Sequence, residues 1–367
     1  MNESLQSKKV ALLASGGVDS SVAMALLKED GYEVEAFYLK IWLEDELAFL
    51  GDCPWNEDLK YLEEVCKQLD IKLNIVPMQK EYFEKVVSYT INEVKNGRTP
   101  NPDVMCNNHI KFGMFLEKVP KGFDFIASGH YAQTQEIDNN TYLKMAPDAI
   151  KDQTYFLANL NKDILNKVLF PIGEFSKSEV RSLAEKFNLA NKKRKDSQGI
   201  CFLGKLKFNE FLEHYLGKKP GEIIDFDSKE ILGEHNGFYY HTVGQRKGLG
   251  LSGGPYYVVD KDIDKNIVYV SKNYFSESKI RKTFNIGSLN LFGKKLSEAE
   301  NLSVKIRHGE KIYNCSVETN KITLAESDQG IAKGQFAVFY DGDICLGCAV
   351  ISWAKNTSIG IVERVLS

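Results

Sequence analysis

The stretch Ala14-Ser15-Gly16-Gly17-Val18-Asp19-Ser20-Ser21 constrains this chain more than any other. It stands between an apolar run, Val10-Ala11-Leu12-Leu13, and a helical pattern through Val22, Leu26 and Leu27. An apolar run, a glycine turn and a helical period read as a strand leading into a helix. Paired glycines let the backbone approach a ligand closely, and serine hydroxyls beside the first free amides of a helix form a nest for anionic oxygens. The same residues also suit a plain tight turn of an α/β domain, with Ser20 or Ser21 as a cap. The stretch lacks the lysine of G-x-x-x-x-G-K-[ST] and the spacing of G-x-G-x-x-G, so neither common phosphate loop describes it.

The rest of the first half alternates strand and helix. Val34 to Leu39, Leu73 to Val76 and Phe125 to Ser128 are short β-rich runs; Leu59, Leu62, Val65, Cys66 and Leu69, and then Phe83 to Val94, recur at helical spacing. Such alternation predicts an α/β fold with a parallel, doubly wound sheet and a ligand site at the carboxyl ends of its strands. A turn at Asp138-Asn139-Asn140 predicts a hairpin added to that sheet, and Ser176-Lys177-Ser178-Glu179 has capping-box spacing. After Lys218-Lys219-Pro220-Gly221 the chain becomes short strands and turns, expected at 223–226, 237–241, 256–259, 267–270, 303–306, 313–317, 321–324, 335–340 and 344–351. The expected division is an α/β domain at 1–217, a small central β-rich domain at 218–280 and a C-terminal β-barrel at 281–367, with the β-rich half split near Lys279 to Thr283.

No run approaches the roughly 20 apolar residues of a membrane span, and residues 1–9 are polar, so a cytoplasmic protein with no membrane partner is expected. A net charge of -3 argues against a basic coat over the whole molecule, so any RNA partner needs local patches. Lys192-Lys193-Arg194-Lys195 is one basic run, though taken alone such a run is more often a solvated face than an RNA site. Seven scattered cysteines suggest reduced thiols, with any disulfide transient. Two of them stand in unusual settings. Gly97-Arg98-Thr99-Pro100-Asn101-Pro102-Asp103-Val104-Met105-Cys106-Asn107 reads as a stiff, non-helical loop presenting a carboxylate and a thiol, or as an Asp103 cap with a buried cysteine. Asp196-Ser197-Gln198-Gly199-Ile200-Cys201 follows the basic run, where cations favour a thiolate. Cys345 and Cys348 form a lone C-x-x-C, and strand residues three apart point to opposite faces, so they read as core and no metal is assigned. Tyr239-Tyr240-His241 reads as alternating barrel packing.

The S-G-G-x-D-S turn resembles the signature of the ATP pyrophosphatases. Together, S-G-G-V-D-S, G-R-T-P-N-P-D-x-x-C-N, S-G-H-Y, K-D-Q-[TS]-Y-F-L, D-S-x-G-I-C-F and G-Q-R-x-G-L-G resemble the bacterial and organellar tRNA-specific 2-thiouridylases, in that family's order over nearly the whole chain. The resemblance implies ATP-dependent 2-thiolation of the wobble uridine of tRNA, with sulfur from a cysteine persulfide and release of AMP and pyrophosphate. It implies an ATP site at Leu13, Ala14, Ser15, Gly16, Gly17, Val18, Asp19, Ser20, Leu39 and Gly129. It places the target base at Asn101, Pro102 and Asp103, with Asp103 as general acid/base, Cys106 as nucleophile, Cys201 as persulfide carrier and a transient Cys106–Cys201 disulfide. Further tRNA contacts are implied at His130, Lys151, Asp152, Gln153, Arg307, His308 and Gln335. Mg²⁺ is expected with ATP, a persulfide donor protein is implied as partner, and the lysine, glutamate and glutamine tRNAs are the suggested substrates. Two positions depart from the family's usual residues: His308 stands where a tyrosine is usual, and Leu39 replaces a methionine.

Overall fold

The computed structural model describes residues 8–41, 55–195, 208–274 and 281–352. Strands β1 (Lys9–Leu13), β2 (Glu33–Lys40), β3 (Lys72–Pro77), β4 (Phe125–Ser128) and β7 (Val168–Leu169) form one parallel sheet in the order β3-β2-β1-β4-β7. Its centre is β1, paired with β2 through Leu13↔Phe37 and with β4 through Leu13↔Ser128. Helices α1 (Val18–Glu29) and α2 (Trp55–Leu69) pack against it. The apolar run at 10–13 is buried because both faces of β1 are covered. Each Val or Leu so enclosed contributes about 1.5–3 kcal/mol.

Two helical stretches then carry the chain across the sheet's carboxyl edge: α3 over 79–95 and α4 over 102–118, each containing a wider π-type segment. The proline-rich stretch is therefore a loop only as far as Asn101. Asn101 caps α4 by accepting from the Val104 amide at 3.2 Å, and Pro102 takes the first helical position, where its missing N–H is no loss. Asp103 lies in the first turn and Cys106 in the second, which corrects the expected non-helical presentation of the thiol. The capping box at Ser176 and Glu179 opens α5 (Lys177–Lys186) as its spacing predicts.

The hairpin β5 (Ala132–Ile137) and β6 (Asn140–Met145) forms with its turn at Asp138 and Asn139, both at positive φ. It does not extend the parallel sheet. It pairs instead with β18 (Ile344–Ser352) of the C-terminal part, through Ile344↔Lys144 and Cys345↔Leu143. There β12 (Thr283–Ile286), β16 (Lys321–Leu324), β15 (Tyr313–Glu318), β14 (Leu302–Lys305), β17 (Phe336–Asp341) and β18 pair in that order, and β12 closes on β18 to complete a six-stranded barrel. One hydrophobic cluster consequently runs from Phe37, Phe112 and Ile126 through Leu143 into Val304, Phe336 and Val338 of the barrel.

The central part is a four-stranded sheet, β10 (Tyr257–Asp262), β11 (Ile267–Ser271), β8 (Gly221–Asp225) and β9 (Ile231–His235), preceded by α6 (Phe208–Leu216). Residues 238–240, expected as strand, form a 3₁₀ turn after Gly237. The core of this part is shared: Ile223, Val258 and Val268 cluster with Tyr82 and Val86 of α3 and with Cys106 and Ile110 of α4.

Candidate active site

At the end of β1 the chain turns through Gly16, whose φ of +73° and whose position, with an added Cβ only 2.2 Å from the Asp58 carbonyl oxygen, admit glycine alone. Ser20 and Ser21 both donate to the Gly17 carbonyl at 3.0 Å, and the Ser15 amide donates to Ser20 Oγ at 3.3 Å. No side chain caps α1 at Gly17, so its first amides are left to a ligand. Gly129, after β4, lies against the same helix start, where a Cβ would meet the Ser20 amide at 2.7 Å. Leu13, Ala14 and Val18 are buried, so what they offer here is backbone. Leu39, at the carboxyl end of β2, packs against the cluster that contains Cys106. The ten residues expected to hold ATP thus lie along one edge of the parallel sheet.

Several side chains finish this nest that sequence reasoning had not assigned. Asp19 Oδ1 accepts from Lys177 Nζ at 2.6 Å and from the Tyr131 hydroxyl at 3.0 Å. Asn191 donates to the Gly16 carbonyl at 2.8 Å and to Ser21 Oγ at 2.9 Å. Arg194 donates to the same carbonyl at 2.9 Å, pairs with Asp58 and stacks over the Tyr61 ring. Burial pushes the Asp58 carboxyl up, with Arg194 opposing. The basic run is therefore divided. Arg194 supports the glycine turn, Lys192 pairs with Glu185, and Lys193 and Lys195 are exposed. Lys177 was visible only as the residue after a helix cap, because its partner lies 158 positions away.

The second group is built on α4. Cys106 is buried, and burial pushes its thiol up to about 11, with Lys111 opposing. Asp103 lies three residues earlier, hence on the same side of the helix, and its Oδ1 is buried without a hydrogen-bond partner. A carboxylate oxygen left so is costly in a resting structure, which marks it as a group awaiting a ligand or proton. The stretch before α4 is fixed by the barrel. Gln335 donates to the Pro100 carbonyl at 2.8 Å and accepts from the Tyr155 hydroxyl at 3.2 Å, while the Thr99 amide donates to the Lys333 carbonyl at 2.7 Å.

The residues implied as tRNA contacts fall into two sets. Gln335 is engaged with the loop as described; Gln153 Oε1 accepts from the Tyr131 amide at 3.0 Å; Asp152 is buried, accepts from Thr154 and forms an ion pair at 3.0 Å with Lys305, itself 1% exposed. His130 is buried between Phe112 and Phe170, shares a 2.8 Å hydrogen bond with Ser128, and is held neutral by burial. These side chains join parts of the protein. By contrast, His308 is exposed, with its ring stacked on Phe156 at 4.4 Å and a ring nitrogen 3.2 Å from the Asp152 carbonyl, and Arg307 is exposed beside Asp328. Lys151 is half-buried.

Cys201 and the Asp196 to Gly204 stretch lie outside the described residues, as does Cys53. Cys66, Cys106, Cys315, Cys345 and Cys348 are free. Cys345 and Cys348 are both buried in the barrel core, but the reason offered for that needs correcting. A register shift in β18 pairs Cys345 with Tyr340 and Cys348 with Val338, which puts both on one face. Among the described residues no group of three His, Cys, Asp or Glu is arranged to hold a metal, and no helix is long and apolar enough to cross a membrane.

Three family models cover the chain: a tRNA methyl transferase HUP domain over residues 8–205, a tRNA methyl transferase PRC-barrel domain over 209–272 and an aminomethyltransferase beta-barrel domain over 281–351. Proteins named tRNA-specific 2-thiouridylase MnmA are similar over almost their full length. The one from Parabacteroides distasonis is 47% identical over 94% of this chain and 98% of its own. Those from Porphyromonas gingivalis and Bacteroides thetaiotaomicron are 45% and 43% identical, each over 94% of this chain and 99% of their own. At this identity and coverage, the chain belongs to the tRNA-specific 2-thiouridylase family.

Proposed function

We propose that this chain is a tRNA-uridine 2-sulfurtransferase that thiolates the wobble uridine at C2, using ATP and a cysteine persulfide. A uracil C2 carbonyl is a poor electrophile, because its oxygen would have to leave as oxide. Attack of that oxygen on the α-phosphorus of ATP breaks one P–O bond, releases pyrophosphate and turns the oxygen into part of AMP. The terminal sulfur of a Cys201 persulfide then attacks C2 and AMP departs. The Cys106 thiolate attacks the Cys201 sulfur, the S–S bond breaks toward the base, and a Cys106–Cys201 disulfide remains for later reduction by a cellular dithiol.

Each described group has a part in this scheme. The glycine turn from Leu13 to Ser20, with Gly129 and Leu39, holds ATP, and Lys177 and Arg194 place positive charge beside its phosphates. Among the described residues Asp19 Oδ2 has no hydrogen-bond partner, so Asp19 is the side chain suited to meet the Mg²⁺ that would neutralise the triphosphate. Asn101, Pro102 and Asp103 meet the base once it has left its stack, which costs a few kcal/mol. Asp103 accepts the Cys106 proton. The wider reading comprises a catalytic domain to residue 217, a central domain to 280 and a barrel beyond, a separate persulfide donor, the lysine, glutamate and glutamine tRNAs as substrates, and cytoplasmic residence.

The single observation that carries the proposal is the unpartnered Asp103 carboxylate oxygen one helical turn from a buried Cys106, within a family-wide motif order. The test is mass spectrometry of anticodon-loop nucleosides made by the purified protein with ATP, a persulfide donor and unmodified tRNA. The expected product is 2-thiouridine, lost in Cys201→Ser. A methylated, sulfur-free nucleoside, or sulfur at another ring position, would overturn the reading.

A further inference from the structure

A second cavity, of about 150 Å³, lies between the proline-rich stretch and the central sheet. Pro100 and Pro102 form one wall; Tyr240, His241, Thr242 and Lys261 form another. The family resemblance leaves these last four residues without a role; a turn at 238–240 replaces the expected strand packing and leads into His241 and Thr242, while Lys261 comes from β10.

Two of the groups are poised for a ligand. His241 is 7% exposed, and its Nδ1 has no hydrogen-bond partner. Burial, the neighbouring His235 and Lys261 hold it neutral, near 4, so the ring can present an N–H without carrying charge. Lys261 Nζ donates to the His241 carbonyl at 2.9 Å and lies over the Phe238 ring, 6.0 Å from its centroid. Among the described residues it has no carboxylate partner, which leaves two N–H bonds of the ammonium unfilled. Burial draws its pKa down to about 8, with Asp260 opposing. The only other lining cation, Arg98, is paired through two hydrogen bonds with Glu93. Among the described residues no Asp or Glu lines the cavity.

The lining thus asks for an anion. At about 30 Å³ per water, the space holds about five waters, enough for one tetrahedral group and too little for a nucleotide. Pro100 and Pro102 of its lining belong to the segment assigned to the target base, which puts the cavity beside the path of that nucleotide's backbone. We propose that this cavity seats one phosphodiester of the RNA backbone next to the target uridine, bound by Lys261 and His241, which fixes the register of the strand while Asn101 and Asp103 hold the base. The proposal rests on the tRNA reading above.

The test is a cycle between protein and RNA. An anticodon stem-loop is prepared with the linkages flanking the target uridine either native or replaced by uncharged methylphosphonate, and binding is measured against salt for wild type, Lys261→Met and Lys261→Arg. Lys261→Met keeps an unbranched apolar side chain but removes the ammonium, and should weaken native RNA about tenfold at low salt, with a salt slope smaller by about 0.7. Methylphosphonate should weaken wild type equally but add little to Lys261→Met, and Lys261→Arg should recover most of the binding. The RNA substitution on wild type decides the matter even if a variant folds poorly. Losses that simply add, or methylphosphonate that changes nothing, overturn the phosphate assignment. Native binding by Lys261→Met with slowed persulfide loading from the donor overturns it too and gives the cavity to an acidic group of that protein. If wild type thiolates the native stem-loop in these cases, the proposed function stands; if it neither binds nor thiolates it, both fall.

Discussion

The glycine nest and the cysteine helix are built in opposite ways. Every group that shapes the nest, from Gly16 to Arg194, comes from the parallel sheet and the helices and turns around it; Asp19, Asn191 and Arg194 each hold hydrogen bonds there, and only Asn191 Oδ1 among those three is buried without a partner. The cysteine helix has its floor in a core shared with the central sheet, its leading loop held by Gln335 of the barrel, and an Asp103 oxygen with nothing on it. The first is a finished cradle within one folding unit. The second is assembled by three units, and its thiol rests protonated. A reaction that commits ATP should wait for RNA and sulfur, and the difference suits the proposed scheme: the half proposed to handle sulfur is the half built from three units.

The largest effect expected is the separation of the two halves by Cys106→Ser. Thiolation turnover should fall by more than about 10³-fold, as for loss of a nucleophile, while tRNA-dependent pyrophosphate release continues. Equal loss of both activities would show that the halves are not separable. The wild-type thiol carries a further mark. With its folded pKa near 11, above the usual 8.5, alkylation of Cys106 in the resting protein should climb about tenfold per pH unit toward pH 11. The sign for stability is opposite: the contribution is whole below about pH 8.5 and is lost as the pH rises to about 11, where the unfolded thiol has already released its proton.

Next comes the joint between the units. Lys305→Met leaves Asp152 buried without its cation and should cost about 3–5 kcal/mol, read as a lower urea midpoint and faster proteolysis between barrel and sheet. Adding Asp152→Asn should recover much of that, because the charge is then gone from both sides. Pyrophosphate exchange at the nest should suffer less than thiolation. A parallel fall in both would contradict a self-contained nest.

What was legible in the sequence follows the same division. The turn at 14–21, the alternating strands and the Ser176 cap are local patterns, so their periods and residue types sufficed. The partners of Asp19, Gly16 and Asp152 lie 158, 175 and 153 positions away, and no period encodes such a pairing. The hairpin at 132–145 was legible as a hairpin, but which sheet it joins is decided by the edge of β18, 200 positions on. At 238–240 the run Phe-Tyr-Tyr has strand propensity that packing overrides, and at Cys345 to Cys348 a one-residue register shift reversed the parity on which a face assignment depends. The roles of Cys106 and Asp103 came from motif resemblance; the helix that carries them came from the Asn101 cap and Pro102.

A smaller effect tests whether the nest includes Arg194. Arg194→Gln removes a charge-assisted hydrogen bond to the Gly16 carbonyl and leaves Asp58 half-buried without its cation. A loss of about 1.5 kcal/mol corresponds to roughly a tenfold rise in KM for ATP, with kcat changed less. Unaltered ATP kinetics would return Arg194 to the solvated surface.

The smallest effect belongs to the neighbouring residue and completes that comparison. Lys193 is exposed one position before Arg194, so the two have equal formal charge and almost equal sequence context, yet the fold turns only Arg194 onto the glycine turn. Lys193→Glu should therefore leave KM for ATP within about twofold of wild type, as surface substitutions usually fall within ±0.5 kcal/mol. If Lys193 meets a tRNA phosphate, the reversal should lower the salt slope of tRNA binding by about 0.7–0.9, the share of one counterion released per contact. If the slope holds, Lys193 is solvated surface and the basic run touches no RNA at that position. A rise in KM for ATP as large as that of Arg194→Gln would be the damaging result, because it would mean that charge near the turn, and not the Arg194 hydrogen bonds, sets ATP affinity, and the nest would no longer be a cradle closed by named contacts.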